Sequence, residues 1–131
     1  MLFEYSLLIW MKIKKAIIID DDVSCLDVMQ IVIEGLGLKP FTFTTWKSDT
    51  IQEIIDIAPD IIILDEWLIG VKGSELCIIL KSVNQLRRIP VILVSGTDGL
   101  AEIARRSCAD GFIEKPFDIN DLEKMILNIQ N

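Results

Sequence analysis

Short apolar runs recur along this chain, separated by stretches with a different hydrophobic spacing. The runs lie near residues 15–19, 40–44, 60–64, 90–94 and 111–114. Several consist largely of Ile, Val and Leu, which is typical of strands buried on both faces of a parallel sheet. The stretches between them place apolar residues at helical spacing, as in Leu26, Met29 and Ile33. This alternation predicts an α/β fold, a three-layer α/β/α sandwich around a five-stranded parallel sheet, because each right-handed crossover lays a helix on one face.

Four of these runs end in residues that suit phosphoryl chemistry. They are followed by Asp20-Asp21-Asp22, Asp65, Ser95 and Glu114-Lys115-Pro116. Because the carboxyl ends of neighbouring parallel strands share one edge of a sheet, we expect these side chains to lie close together. The sequence therefore predicts a single site at that edge.

The charges at this edge indicate a metal ion. Asp20, Asp21 and Asp65 carry three negative charges, and Lys115 cancels only one of them. All the candidate ligand atoms are oxygens, and the chain contains no His. Such ligands favour a hard cation, and Mg²⁺ is the expected one because it takes one or two carboxylates together with water and phosphate.

A carboxylate beside such a cation can attack phosphorus and form an aspartyl phosphate. The metal, Lys115 and the Ser95 hydroxyl would then neutralise or hydrogen-bond the transferred oxygens. Phosphoryl transfer requires little more than this positioning and charge stabilisation.

Size and charge limit the classes of protein to consider. The 131 residues and 51% hydrophobic content fit one globular domain, and the net charge of -7 with no Lys/Arg cluster beyond pairs argues against direct nucleic-acid binding. We assign residues 12–131 to this domain and treat residues 1–11 as an N-terminal extension of uncertain status. The apolar segment 1–11 is too short to span a bilayer and lacks a basic start, and Met11 is an equally good first residue.

The three cysteines, Cys25, Cys77 and Cys108, are far apart and odd in number. They suggest neither a disulfide framework nor a zinc site, and we expect them to be small buried apolar residues. A reducing cytoplasm is the expected compartment.

The four motifs, in this order, resemble those of response-regulator receiver domains of two-component signalling, from about residue 12 to residue 131. The resemblance implies the flavodoxin-like strand order 2-1-3-4-5. It also implies that Asp20 and Asp21 bind the metal with Asp65, that Asp65 is the phosphoacceptor, and that Ser95 and Lys115 contact the phosphoryl group.

The resemblance further implies a switch. Ser95 would move toward the phosphoryl group and Phe112 would turn inward, changing the surface of the fourth helix, fifth strand and fifth helix. The implied partners are a histidine kinase or histidine phosphotransfer protein and a downstream protein target. The domain would be a monomer or a phosphorylation-dependent dimer, with no catalysis beyond its own phosphorylation and dephosphorylation. Because the chain ends with the last helix, output is expected through protein contacts, unless the chain is a piece of a larger regulator or hybrid kinase.

One segment departs from the family pattern. After Asp65 the family usually has a Pro four residues on, where this chain has Ile69, so we expect a less rigid loop. Trp67 and Thr97 occupy positions that tune attack by water in the family, and the bulky Trp67 predicts slow dephosphorylation.

Two alternative functions remain open at this stage. A haloacid-dehalogenase-like phosphatase would use Asp20 as nucleophile, although the later acid pair that it needs is absent. A receiver-like docking module that is never phosphorylated is the other. Individually, the acids also have structural interpretations: Asp21, Asp22 or Ser24 can cap the first helix.

Overall fold

A computed structural model describes residues 14–129, so the segment 1–11 and the domain boundary at residue 12 lie outside the described residues. Strands and helices alternate through this range. The strands are β1 (Lys15–Ile19), β2 (Lys39–Phe43), β3 (Ile61–Asp65), β4 (Trp67–Leu68), β5 (Val71–Lys72), β6 (Val91–Ser95) and β7 (Gly111–Glu114). The helices are α1 (Val23–Gly35), α2 (Thr50–Ile57), α3 (Gly73–Ser82), α4 (Leu100–Ser107) and α5 (Ile119–Ile129).

Five strands form one parallel sheet in the order β2-β1-β3-β6-β7. This is the predicted order 2-1-3-4-5, since β4 and β5 form a separate two-stranded antiparallel hairpin. Three strands begin one residue away from their predicted positions, and the other two match. The predicted five-stranded parallel sheet is therefore confirmed.

Alternate residues of the sheet face two separate cores. Ala16 and Ile18 pack with α1 and α5, whereas Ile17 and Ile19 pack with α2, α3 and α4. The three central strands β1, β3 and β6 are almost completely buried on both faces, which explains their continuous Ile, Val and Leu runs. The three predicted layers are thus α1 with α5 on one face, the sheet in the middle, and α2, α3 and α4 on the other face.

Local signals in the sequence define the helix ends beside these strands. Asp22 is the N-cap of α1, and its carboxylate accepts hydrogen bonds from the backbone N–H groups of Ser24 and Cys25. At the other end of the sheet, α2 stops at Ala58, which has a φ of 54° and precedes Pro59.

Within residues 14–129, no helix has the length and the apolar run needed to cross a membrane.

Candidate phosphoryl-transfer site

The topology brings four polar chain segments to one edge of the sheet. Asp20 follows β1, Asp65 ends β3, Ser95 ends β6, and Lys115 follows β7. The register places Asp65 beside Val94 and Ser95 beside Glu114. All four residues therefore lie at the carboxyl ends of neighbouring strands.

An acidic cluster lies at the centre of this edge. One carboxylate oxygen from each of Asp20, Asp21 and Asp65 lies within 4.8 Å of the others. Asp20 and Asp65 are buried, and Asp21 is partly exposed. One carboxylate oxygen of Asp20 accepts the backbone N–H of Asp22 at 2.9 Å. Because Asp22 supplies the helix cap, the other two acids in the Asp20–Asp22 run are not needed for capping.

Lys115 reaches across the edge toward two of these acids. Its ammonium lies 3.2 Å from Asp20 and 3.4 Å from Asp65. Its backbone N–H donates to the carbonyl of Ser95 at 2.9 Å, which ties the loop after β7 to the end of β6. The ammonium thus reaches the acidic cluster from the end of β7, the outermost strand on that side of β3.

Burial and neighbouring charges shift the pKa values of Asp65 and Lys115. Burial, followed by the charge of Asp20, raises the pKa of Asp65 to about 6, although Lys115 acts in the opposite direction. Burial works against the charge of Lys115, but Asp20 and Asp65 outweigh it and raise the pKa of Lys115 above its ordinary value. The carboxylates therefore repel one another, and a cation relieves that repulsion.

The two residues predicted to form the switch lie on the neighbouring strands β6 and β7. Ser95 is buried, and its hydroxyl accepts the backbone N–H of Thr97 at 3.2 Å. Phe112 lies beside Leu93 in the sheet and packs, partly buried, against the core formed by α2, α3 and α4. Their movement on phosphorylation stays a prediction.

Residues 16–127 match the family model described as "Response regulator receiver domain". The chain belongs to the response regulator receiver domain family. Neither alternative, the phosphatase or the unphosphorylated docking module, gains support over the receiver function from this match.

Known proteins similar to this receiver domain agree with that assignment. The heme response regulator HssR of Staphylococcus haemolyticus is 30% identical over 110 residues, which cover 82% of this chain and 47% of that protein. This chain therefore spans about half the length of that curated relative.

Two solved structures share the fold. A CheY-like response regulator receiver domain protein from Methanospirillum hungatei has a TM-score of 0.80 at 23% identity, covering 91% of this chain and 94% of that one. The receiver domain of sensor histidine kinase PA1611 from Pseudomonas aeruginosa, solved with magnesium coordinated in its active-site cleft, has a TM-score of 0.74 at 18% identity. That likeness covers 88% of this chain and 95% of that one.

Trp67 lies on the hairpin that follows Asp65. Its side chain is half exposed, and the ammonium of Lys72 lies 5.6 Å from the centre of its ring. It also lines a groove between α3 and α4 with Ile78 and Ile103. Neither the predicted effect of Trp67 nor that of Thr97 on phosphoryl lifetime is tested by these positions.

The loop with the unusual Ile69 forms a tight turn between β4 and β5. Ile69 is 82% exposed, and the next residue, Gly70, has a φ of 84°. The left-handed φ explains the glycine. The reduced rigidity expected from the absent proline stays a prediction.

Sequence analysis did not single out Glu66, which the receiver domain buries directly beside the predicted phosphoacceptor. Its side chain is 2% exposed and accepts two hydrogen bonds from Ser74. The available signal in the sequence was a carboxylate directly after a buried strand, between Asp65 and Trp67. If such a carboxylate is buried, it needs a hydrogen-bond partner. That partner is eight residues away, beyond the hairpin.

The cysteine expectation was wrong for one residue of three. Cys77 is buried and Cys25 is partly buried, but Cys108 is exposed at the C-terminal end of α4 with a φ of 62°. Cys25 also lies near Asp20 and Lys115, and burial followed by Asp20 raises the pKa of its thiol to about 11.

Proposed function

We propose that this receiver domain accepts a phosphoryl group on Asp65 from the phosphohistidine of a histidine kinase or histidine phosphotransfer protein. The observation that carries the proposal is the cluster of three carboxylates within 4.8 Å, with the Lys115 ammonium against two of them. A nucleophilic carboxylate, a place for a cation and a fixed positive charge are together what phosphoryl transfer requires.

Mg²⁺ fits the residues present. The donors at this site are carboxylate oxygens, and one ammonium leaves their negative charge incompletely neutralised. Asp20, Asp21 and Asp65 would hold the ion, and Mg²⁺ in the active-site cleft of the PA1611 receiver domain supports that choice. When bound, the ion supplies charge neutralisation to the phosphoryl oxygens and brings them toward Asp65.

The protein groups then have separate tasks. An oxygen of Asp65 attacks the phosphorus, the bond from phosphorus to the imidazole nitrogen of the donor breaks, and the nitrogen keeps that electron pair. The ammonium of Lys115 stabilises the transferred oxygens, and the Ser95 hydroxyl donates a hydrogen bond to one of them. The hydroxyl accepts the N–H of Thr97 at 3.2 Å, which leaves its own O–H available to donate that bond.

A protein donor must cover the sheet edge around Asp65, and the surface beside it is apolar. Val23, Val28 and Ile119 are about half exposed there. A concave pocket of about 460 Å³ lies between α1 and the loop after β7, lined in part by Val28, Lys115 and Ile119. Such a surface suits a protein donor better than a small phosphorylated metabolite alone.

The output surface is formed by α4, β7 and α5. Movement of Ser95 and Phe112 would change this surface, which would then bind a downstream protein or a second phosphorylated copy. We infer that the domain catalyses only its own phosphorylation and dephosphorylation and contacts neither nucleic acid nor membrane. The cytoplasm is the proposed compartment, because none of the three cysteines is in a disulfide.

Intact-mass measurement after incubation with acetyl phosphate tests this function. One added phosphoryl group is expected with Mg²⁺ in the wild type, and none is expected in Asp65→Asn or without Mg²⁺. No adduct in the wild type, with Mg²⁺ binding shown separately, would favour the docking module. Release of free phosphate that depends on Asp20 but not on Asp65 would favour the phosphatase.

A further inference from the structure

Glu66, which follows the proposed phosphoacceptor, contacts the start of α3 through its side chain. Its carboxylate accepts the backbone N–H of Ser74 at 2.7 Å and the Ser74 hydroxyl at 2.9 Å. Ser74 is the second residue of α3, so the carboxylate binds the first turn of that helix. In this way Glu66 acts as the side-chain cap of α3, since Lys72, the residue at the N-cap position, makes no such bond.

The main chain of Glu66 is held on both sides. Its N–H donates to the carbonyl of Val94 at 3.3 Å, and its carbonyl accepts the N–H of Gly73 at 2.9 Å. Val94 precedes Ser95 in β6. The peptide that joins Asp65 to Glu66 is therefore tied to the end of β6, and the next peptide, from Glu66 to Trp67, is tied to the start of α3.

Gly73 shows how close this packing is. A β-carbon at residue 73 would overlap the carbonyl oxygen of Asp65 and would lie 3.1 Å from the α-carbon of Glu66. The start of α3 thus rests against the main chain of the phosphoacceptor. Any movement of Ser74 relative to Glu66 would be passed to Asp65.

We propose that Glu66 is a positioning residue for phosphoryl transfer, because its carboxylate clamps Ser74 at the start of α3 and so fixes the main chain of Asp65. This inference rests on the proposed function. Glu66 acts through hydrogen-bond geometry and does not ligate the metal: both its oxygens are used by Ser74, and the acidic cluster of the described residues consists of Asp20, Asp21 and Asp65.

Two substitutions at residue 66 separate geometry from charge. In Glu66→Gln the amide oxygen can accept the N–H of Ser74 while the amide nitrogen donates to the Ser74 hydroxyl, so both bonds survive without the charge. In Glu66→Leu the volume is nearly kept but both bonds are lost. Asp110→Ala provides a destabilised control at the opposite edge of the sheet, because it removes an acceptor for Lys81 and for the N–H of Val91.

The measured quantity is the maximal rate of adduct formation at saturating acetyl phosphate and Mg²⁺. We expect Glu66→Leu to lose about tenfold or more, since a misplacement of 1 Å costs on the order of 100-fold. Glu66→Gln should keep most of the wild-type rate, and so should Asp110→Ala despite its lower stability. Circular dichroism and thermal unfolding establish that each variant is folded.

Each other outcome has a distinct meaning. A rate in Glu66→Leu equal to that of the wild type overturns the inference while leaving the proposed function intact. Equal losses in Glu66→Gln and Glu66→Leu would also overturn it, since the charge and not the geometry would then matter. An equal loss of rate in Asp110→Ala would also overturn the inference, because lower stability alone would then explain the effect of Glu66→Leu. If the wild type forms no phosphoryl adduct, the proposed function itself is wrong.

Discussion

Gly73, the first residue of α3, lies directly against the carbonyl oxygen of Asp65. No other residue type fits there without movement, because any β-carbon at this position would overlap that backbone oxygen. The constraint comes from close approach and not from backbone conformation. It explains why a glycine stands at the point where the loop after Asp65, the proposed phosphoacceptor, becomes a helix.

We expect Gly73→Ala to lower the free energy of unfolding by about 1–3 kcal/mol, as overpacking does in cores. It should also slow phosphorylation of Asp65, because the backbone of Asp65 must move to relieve the overlap. Urea unfolding and the rate of adduct formation with acetyl phosphate measure the two effects.

Gly35→Ala is the matched control for this substitution. Gly35 ends α1, and apart from its chain neighbours and the backbone of its own helix, a β-carbon there would have no atom within 4 Å. This variant should be unchanged or more stable by up to about 1 kcal/mol. Equal stability of the two variants would contradict the packing argument.

The raised pKa of Asp65 predicts that ionisation of this residue lowers the free energy of unfolding of the metal-free protein. Between the ordinary value of 3.8 and about 6 the native state binds a proton that the unfolded state has lost, so stability falls as the pH rises through this window. Asp65→Asn removes this pH-dependent loss of stability. In EDTA we expect the variant to match the wild type near pH 4 and to be more stable above pH 6, by about 1–3 kcal/mol.

Urea unfolding of both proteins at several pH values measures this difference. Asp56→Asn is the control, because Asp56 is an exposed acid on α2 and should give no such pH-dependent gain. A gain for Asp65→Asn that is already complete at pH 4 would disprove the assignment. Addition of Mg²⁺ should stabilise the wild type more than Asp65→Asn, since the variant offers one charged ligand fewer.

Much of the fold could be predicted because the chain contains continuous apolar runs, such as Ile61–Leu64, that are typical of one kind of secondary structure. A short, continuous run of Ile and Leu between helical segments is typical of a strand covered on both faces, and parallel topology then aligns the residues that follow each run. For this reason the positions of Asp65 and Lys115 at one edge followed from the sequence.

The features that were missed are set by the tertiary structure. The burial of Glu66 depends on Ser74, which the hairpin of β4 and β5 brings back to it. Cys108 is exposed at the C-cap of α4, where its φ is 62°, and hydrophobic spacing does not reveal such a position. Neither feature has a periodic signal in the sequence.

The cysteines should differ in reactivity. Cys108 is exposed, whereas Cys77 is fully buried, and burial raises the pKa of its thiol to about 11. Because the thiolate is the reactive form, iodoacetamide at pH 8 should modify Cys108 in the native protein and Cys77 only after unfolding. Peptide mass mapping distinguishes the two sites, and equal rates at both would contradict the described burial.

Trp67 predicts a long-lived phosphorylated state. It lies two residues beyond Asp65, where a large side chain can obstruct the water that must approach the phosphorus in line with the Asp65 oxygen. We expect Trp67→Ala to shorten the lifetime of the adduct severalfold, as measured by intact mass after removal of acetyl phosphate. Lys72→Met should have a smaller effect, because the Lys72 ammonium lies 5.6 Å from the indole and helps to hold it. Ile69→Ala is the control, since this 82% exposed side chain of the same hairpin should leave the lifetime unchanged. A lifetime in Trp67→Ala as long as in the wild type would show that the indole does not shield the phosphoryl group, and Thr97 would then be the position to vary.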